Sequence, residues 1–126
     1  MGMFNKFIDR IKRFGEPIEK WYEVSFTSSE IKISASPPGR DAWTQLFFWE
    51  DIIRVMFQGE GIDASDGIYI WTTKRPESYV VPTDSKGGEK LIKELISRGY
   101  FESEKFQEAV LSPYGVYCWP EDEKET

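Results

Sequence analysis

Trp43-Thr44-Gln45-Leu46-Phe47-Phe48-Trp49-Glu50-Asp51-Ile52-Ile53-Arg54-Val55 is the stretch on which the fold turns. Residues 43–49 are rich in aromatic side chains that favour a pleated, half-buried backbone, and residues 52–57 repeat that character. Between the two runs, Glu50 and Asp51 place adjacent charges, which predicts a tight corner joining one strand to the next. Alternation in the first run puts Trp43, Phe47 and Trp49 on one side and Leu46 and Phe48 on the other. Neither side is cleanly polar, so the sequence predicts a sheet with apolar side chains on both faces.

Upstream, Tyr22, Val24 and Phe26 alternate with Glu23, Ser25 and Thr27, and Ile31, Ile33 and Ala35 alternate with Lys32 and Ser34. These are two half-buried strands joined around Ser28 and Ser29, followed by a loop opened by Pro37-Pro38-Gly39. Downstream, glycines and acids across residues 59–67 make a polar loop. Residues 68–73 and 78–81 form a hairpin turning near Arg75-Pro76, in which Ile68 and Ile70 point one way and Tyr69 and Trp71 the other. Pro82 ends the sheet.

The stripe Leu91, Ile92, Leu95 and Ile96 predicts a helix over about 85–98, with Asp84 or Ser85 as N-cap and Gly99 as a left-handed C-terminal residue. A second helical piece spans about 103–111, and residues 114–119 form a last strand or a strap over the core. Residues 120–126 are a mobile acidic tail. At the other end, Phe4, Phe7, Ile8, Ile11 and Phe14 recur at three- and four-residue steps between basic residues, so residues 1–16 hold a basic amphipathic helix. One domain results, with its α+β body over residues 20–119.

Composition narrows the chemistry. The chain has no histidine, which removes Ser-His and Cys-His nucleophiles and the commonest zinc ligand. Its lone cysteine, Cys118, has no partner for an intramolecular disulfide, and residues 1–10 lack the apolar core of a secretory signal. A cytoplasmic protein without cofactor or metal, and not an enzyme, is the expectation. The net charge is −6; residues 1–14 carry four basic side chains against Asp9, about +3, leaving about −9 for the rest. An acidic body excludes nonspecific nucleic-acid binding, which needs a basic surface.

Phe48-Trp49-Glu50-Asp51-Ile52-Ile53-Arg54-Val55, preceded by two hairpin strands and followed by Ile68-Tyr69-Ile70, Tyr79-Val80-Val81-Pro82 and the Leu91–Leu95 helix, resembles small bacterial pleckstrin-homology-like (PH-like) domains. The resemblance covers about residues 20–98. It implies a strongly bent antiparallel sheet or partial barrel, here with an N-terminal helix and one or two C-terminal helices. It also implies a scaffold for binding proteins, peptides or lipids with no shared catalytic residues. Lipid-binding members hold headgroups with basic residues in the first strand-strand loop, where this chain has Thr27-Ser28-Ser29-Glu30.

The functional expectation is a non-enzymatic domain that binds a protein partner, a second copy of the chain included. Trp43, Trp49, Tyr69 and Trp71 are the expected contact face, since large apolar patches on soluble proteins mark interaction sites. Two alternatives stand beside it: an acidic immunity-type inhibitor of a basic toxin, and a carboxylate-based hydrolase built on acids such as Glu50 and Asp51. Weak membrane-surface contact through residues 4–14 is the less favoured use of the first helix, as is a cation held by Glu60, Asp63 and Asp66.

Overall fold

The computed structural model describes residues 17–59, 66–102, 104, 107, 108 and 115–120. Strands β1 (Tyr22–Phe26) and β2 (Glu30–Ala35) pair antiparallel, with Phe26 facing Ile31 and Tyr22 facing Ala35. Thr27 makes the turn between them. Its amide donates to the Glu30 carbonyl at 2.9 Å, and its hydroxyl accepts from the Ser29 and Glu30 amides at 3.2 and 3.0 Å. A short hydroxyl side chain thus closes the hairpin on itself. Strand β3 (Trp43–Phe48) returns along β2 and completes a sheet of order β1-β2-β3.

At the expected corner the chain takes one turn of 3-10 helix, Trp49–Asp51, and enters β4 (Ile52–Gln58). Strand β4 belongs to a second sheet of order β6-β5-β4-β7, with β5 (Gly67–Thr72), β6 (Arg75–Pro82) and β7 (Val116–Trp119). Residues 116–119 are therefore a strand, paired antiparallel to β4. With helix α1 (Gly88–Ser97) the molecule is α+β: among the described residues there are seven strands in two antiparallel sheets and this α-helix, and residues 104, 107 and 108 are helical as well. It is not a closed barrel, because β3 pairs with β2 and not with β4 across the corner.

The two sheets enclose one core. Ile31, Ile33 and Phe47 of the first meet Val55, Phe57, Ile68, Ile70 and Val81 of the second, and Leu91 and Leu95 of α1 join them. Phe47 stacks on Tyr79 with ring centroids 4.0 Å apart, and the Arg75 guanidinium lies 3.8 Å over the same tyrosine. The Tyr22 hydroxyl donates to the Val80 carbonyl, tying β1 to β6.

Two local expectations are corrected. The second hairpin turns at Thr73-Lys74, not at Arg75-Pro76, and Pro76 lies inside β6. Strand β6 is at the sheet edge, where a missing N–H leaves no neighbour unpaired. Neither Asp84 nor Ser85 caps α1; Ser85 Oγ donates instead to the Pro82 carbonyl at 2.6 Å, and Gly87 holds the cap position at φ +87°. Residues 83–87 are pressed onto β1, where the Val24 amide donates to Lys86 and the Lys86 amide to Tyr22, each at 2.9 Å. A Cβ on Gly87 would stand 2.1 Å from the Val24 carbonyl oxygen, so only glycine fits.

The C-terminus of α1 matches the expectation. Gly99 has φ +90°, its amide donates to Ile96 at 3.0 Å, and the Tyr100 amide reaches Leu95 at 2.8 Å, the bonding pattern of a Schellman cap. The helix expected at 4–14, the loop acids Glu60 and Asp63, most of the piece at 103–111 and the tail at 121–126 lie outside the described residues.

Candidate functional site

The four aromatics expected to form one contact face do not share a face. Trp49 is 4% exposed: its indole N–H donates to the Thr27 carbonyl at 2.9 Å, Arg98 lies 3.8 Å over its ring, and Phe26 meets it edge-on. Trp43 is half-buried on the same core-facing side and packs edge-on against Tyr22. Tyr69 and Trp71 lie on the opposite side of β5 from Ile68 and Ile70, hence on the outer side of the second sheet. There Tyr69 is 6% exposed, and Trp71 is half-buried with the Arg54 guanidinium 5.7 Å over its ring. Alternation gave the sides of each strand correctly, but which side closes on the other sheet depends on packing that no single strand encodes.

The outer face of the first sheet is largely polar, contrary to the expectation of two apolar faces. It carries Glu23 and Ser25 on β1, Glu30, Lys32 and Ser34 on β2, and Thr44 on β3. Two large apolar side chains interrupt it. Leu46, 47% exposed, stands opposite Lys32, and Phe48, 40% exposed, stands opposite Glu30. Alternation along residues 43–49 separates this pair from Trp43 and Trp49. The signal was the clean alternation of β2: once Lys32 and Ser34 mark the solvent side, pairing carries Leu46 and Phe48 to that side too.

Hydrogen-bond phase fixes where the backbone of β3 points. Thr27 and Glu30 form a bonded pair at the first turn, so Lys32 and Ser34 also bond toward β1, and Ile31, Ile33 and Ala35 bond toward β3. Their partners are Phe47, Gln45 and Trp43, and the 3.0 Å bond from the Trp49 amide to Ser29 continues the same phase. Thr44, Leu46 and Phe48 therefore direct N–H and C=O groups away from the sheet, and these backbone groups have no hydrogen-bond partner among the described residues.

A groove of about 1170 Å³ lies between residues 17–19, β1 and residues 83–90. Ile18, Val24 and Phe26 line it together with charged side chains of both signs, Glu23, Lys86 and Lys90 among them. At the corner, Glu50 is exposed and Asp51 half-buried. Among the described residues no three of the Cys, Asp and Glu side chains gather as a metal site, and no helix is long and apolar enough to cross a membrane. Arg54 donates to the Cys118 thiol at 3.3 Å, from β4 across to β7.

No protein-family model matches the chain, and neither a curated protein nor a solved structure was found similar to it.

Proposed function

We propose that this chain is a non-enzymatic interaction domain of PH-like architecture that binds a protein partner through the outer face of its first sheet. The observation that carries this is the pair Leu46 and Phe48, left exposed on a face that is otherwise polar while the other large aliphatic side chains of that sheet are buried. Apolar residues ringed by polar ones are the arrangement of an interface core and rim. Two antiparallel sheets around one core, with an α-helix docked at β1, support the PH-like reading without deciding the ligand. The first hairpin turn, Thr27 to Glu30, has no basic side chain of its own, and the Arg98 guanidinium that reaches it is held by the Ser28 carbonyl, Glu94 and the Trp49 ring, which favours a protein over a lipid headgroup.

The test is a double variant, Leu46→Glu with Phe48→Glu. Both positions face solvent, so the variant is expected to keep its circular dichroism, with a modestly lower melting temperature because the Phe48→Glu carboxylate would stand opposite Glu30. A partner purified after capture by the wild-type chain is expected to bind it about a hundredfold more weakly, the loss typical of removing an interface hot spot. Unchanged affinity in a folded variant overturns the proposal.

A further inference from the structure

Resting on that reading, we infer that the partner is taken up as an added β-strand along β3, and that it supplies an extended, basic segment. The residues whose backbone groups point outward, Thr44, Leu46 and Phe48, are the same residues whose side chains face solvent. One strand laid against β3 would satisfy its free N–H and C=O groups and bring alternate side chains onto Leu46 and Phe48. Both terms of strand-addition recognition, main-chain bonding and alternate side-chain contacts, coincide here.

The other edges are managed differently. Along β1 the outward Val24 N–H and Tyr22 C=O bond to Lys86 and Gly87 packs on the Val24 carbonyl, β6 carries Pro76 and ends at Pro82, and β7 is only four residues long. Pairing by a neighbour, proline and shortness are the usual ways in which edges are protected. Strand β3 has six residues and no proline.

The occupant is an extended segment rather than a second copy of the chain. A strip of three outward residues is far from the roughly 1,200–2,000 Å² that a stable interface between folded bodies buries. Charge adds to this. The chain carries −6 in total and about −9 outside residues 1–14, so two copies repel, whereas a basic segment is attracted. Beside Phe48 the local charge is acidic, with Glu30 across the ladder and Glu50 and Asp51 in the corner that follows, while Lys32 faces Leu46. The segment therefore places its Lys or Arg at the Phe48 end and apolar residues on alternate positions.

The probe is the capped peptide Lys-Val-Thr-Val-Thr-Val-Lys, basic at both ends so that either direction can be used, added to the full-length ¹⁵N-labelled chain. Amide exchange at Thr44, Leu46 and Phe48 is expected to slow by about tenfold, near the upper end of what one net hydrogen bond is worth. Gln45 and Phe47, already bonded to β2, serve as internal references and stay unchanged. Peptides methylated at alternate backbone nitrogens, made in both phases, are expected to include one that gives no protection. Unaltered exchange at the three outward amides, or equal protection by both methylated peptides, overturns the inference. Thr44→Pro separates this from the broader reading, because it removes an outward donor and leaves Leu46, Phe48 and the β2–β3 bonds in place. Partner binding lost in the double glutamate variant but intact in folded Thr44→Pro would refute strand addition alone. Binding intact in both would refute the partner surface as well.

Discussion

Tyr22 joins the chemistry of one side chain to the closure of the core. Burial pushes its phenol well above the ordinary value near 10, because the phenolate would lose its hydration. The folded chain holds this proton to higher pH than the unfolded chain does. Stability from Tyr22 is therefore complete below about pH 10 and is lost as pH rises beyond it. Tyr22→Phe is expected to cost about 1–2 kcal/mol at neutral pH, since the Val80 carbonyl loses its donor. Urea titrations at rising pH will find the variant losing less stability than wild type above about pH 10; parallel losses would refute the role given to the phenol. Nothing in the pattern Tyr22-Glu23-Val24 foretells this bond, whose partner is 58 residues away. The alternation shows only that Tyr22 faces inward. In the same way, a tryptophan beside two acids reads as a surface anchor until Thr27 and Arg98 are seen to hold Trp49 from two sides.

Among the elements, the strands were the most legible, because a two-residue period survives whatever the rest of the chain does. The Glu50-Asp51 corner was legible for a related reason: two adjacent charges cannot continue a buried apolar run. The start of α1 was not. Ser85 and Asp84 are good capping residues by composition, but the loop before the helix is spent on pairing with β1, and that pairing moves the cap to Gly87. Gly87→Ala is accordingly expected to destabilise by about 2–3 kcal/mol, from the left-handed backbone and the collision with the Val24 carbonyl together. Gly99→Ala, with the same sign of φ but open space around the added methyl, should cost only about 1 kcal/mol. Thermal melts of the two variants compare them directly; equal losses would mean that the contact with Val24 is not what selects glycine at 87.

For the whole molecule, the decisive fact is that two sheets share a single core. Phe47 and Tyr79 stack across it from different sheets, so neither sheet has an apolar interior of its own to retain. Unfolding in urea should then be one transition, coincident by tryptophan fluorescence and far-ultraviolet circular dichroism. Phe47→Ala should lower the stability by about 3–5 kcal/mol while keeping that coincidence. Separate transitions for the two probes would show that the sheets fold apart. This level was the least legible in sequence. A strand's own period does not record which of its sides meets another sheet, and Trp43, Trp49, Tyr69 and Trp71 were grouped by chemical type where packing divides them.

The connection between β2 and β3 has a practical consequence. Its tip, Gly39 to Ala42, is exposed, and a methyl placed on Gly39 would meet nothing within 4 Å. Exposed tips of this kind are where chains accept spliced-in domains. A fluorescent reporter inserted there would sit two to five residues before Thr44, close enough for its emission to register occupancy of the neighbouring strand in living cells.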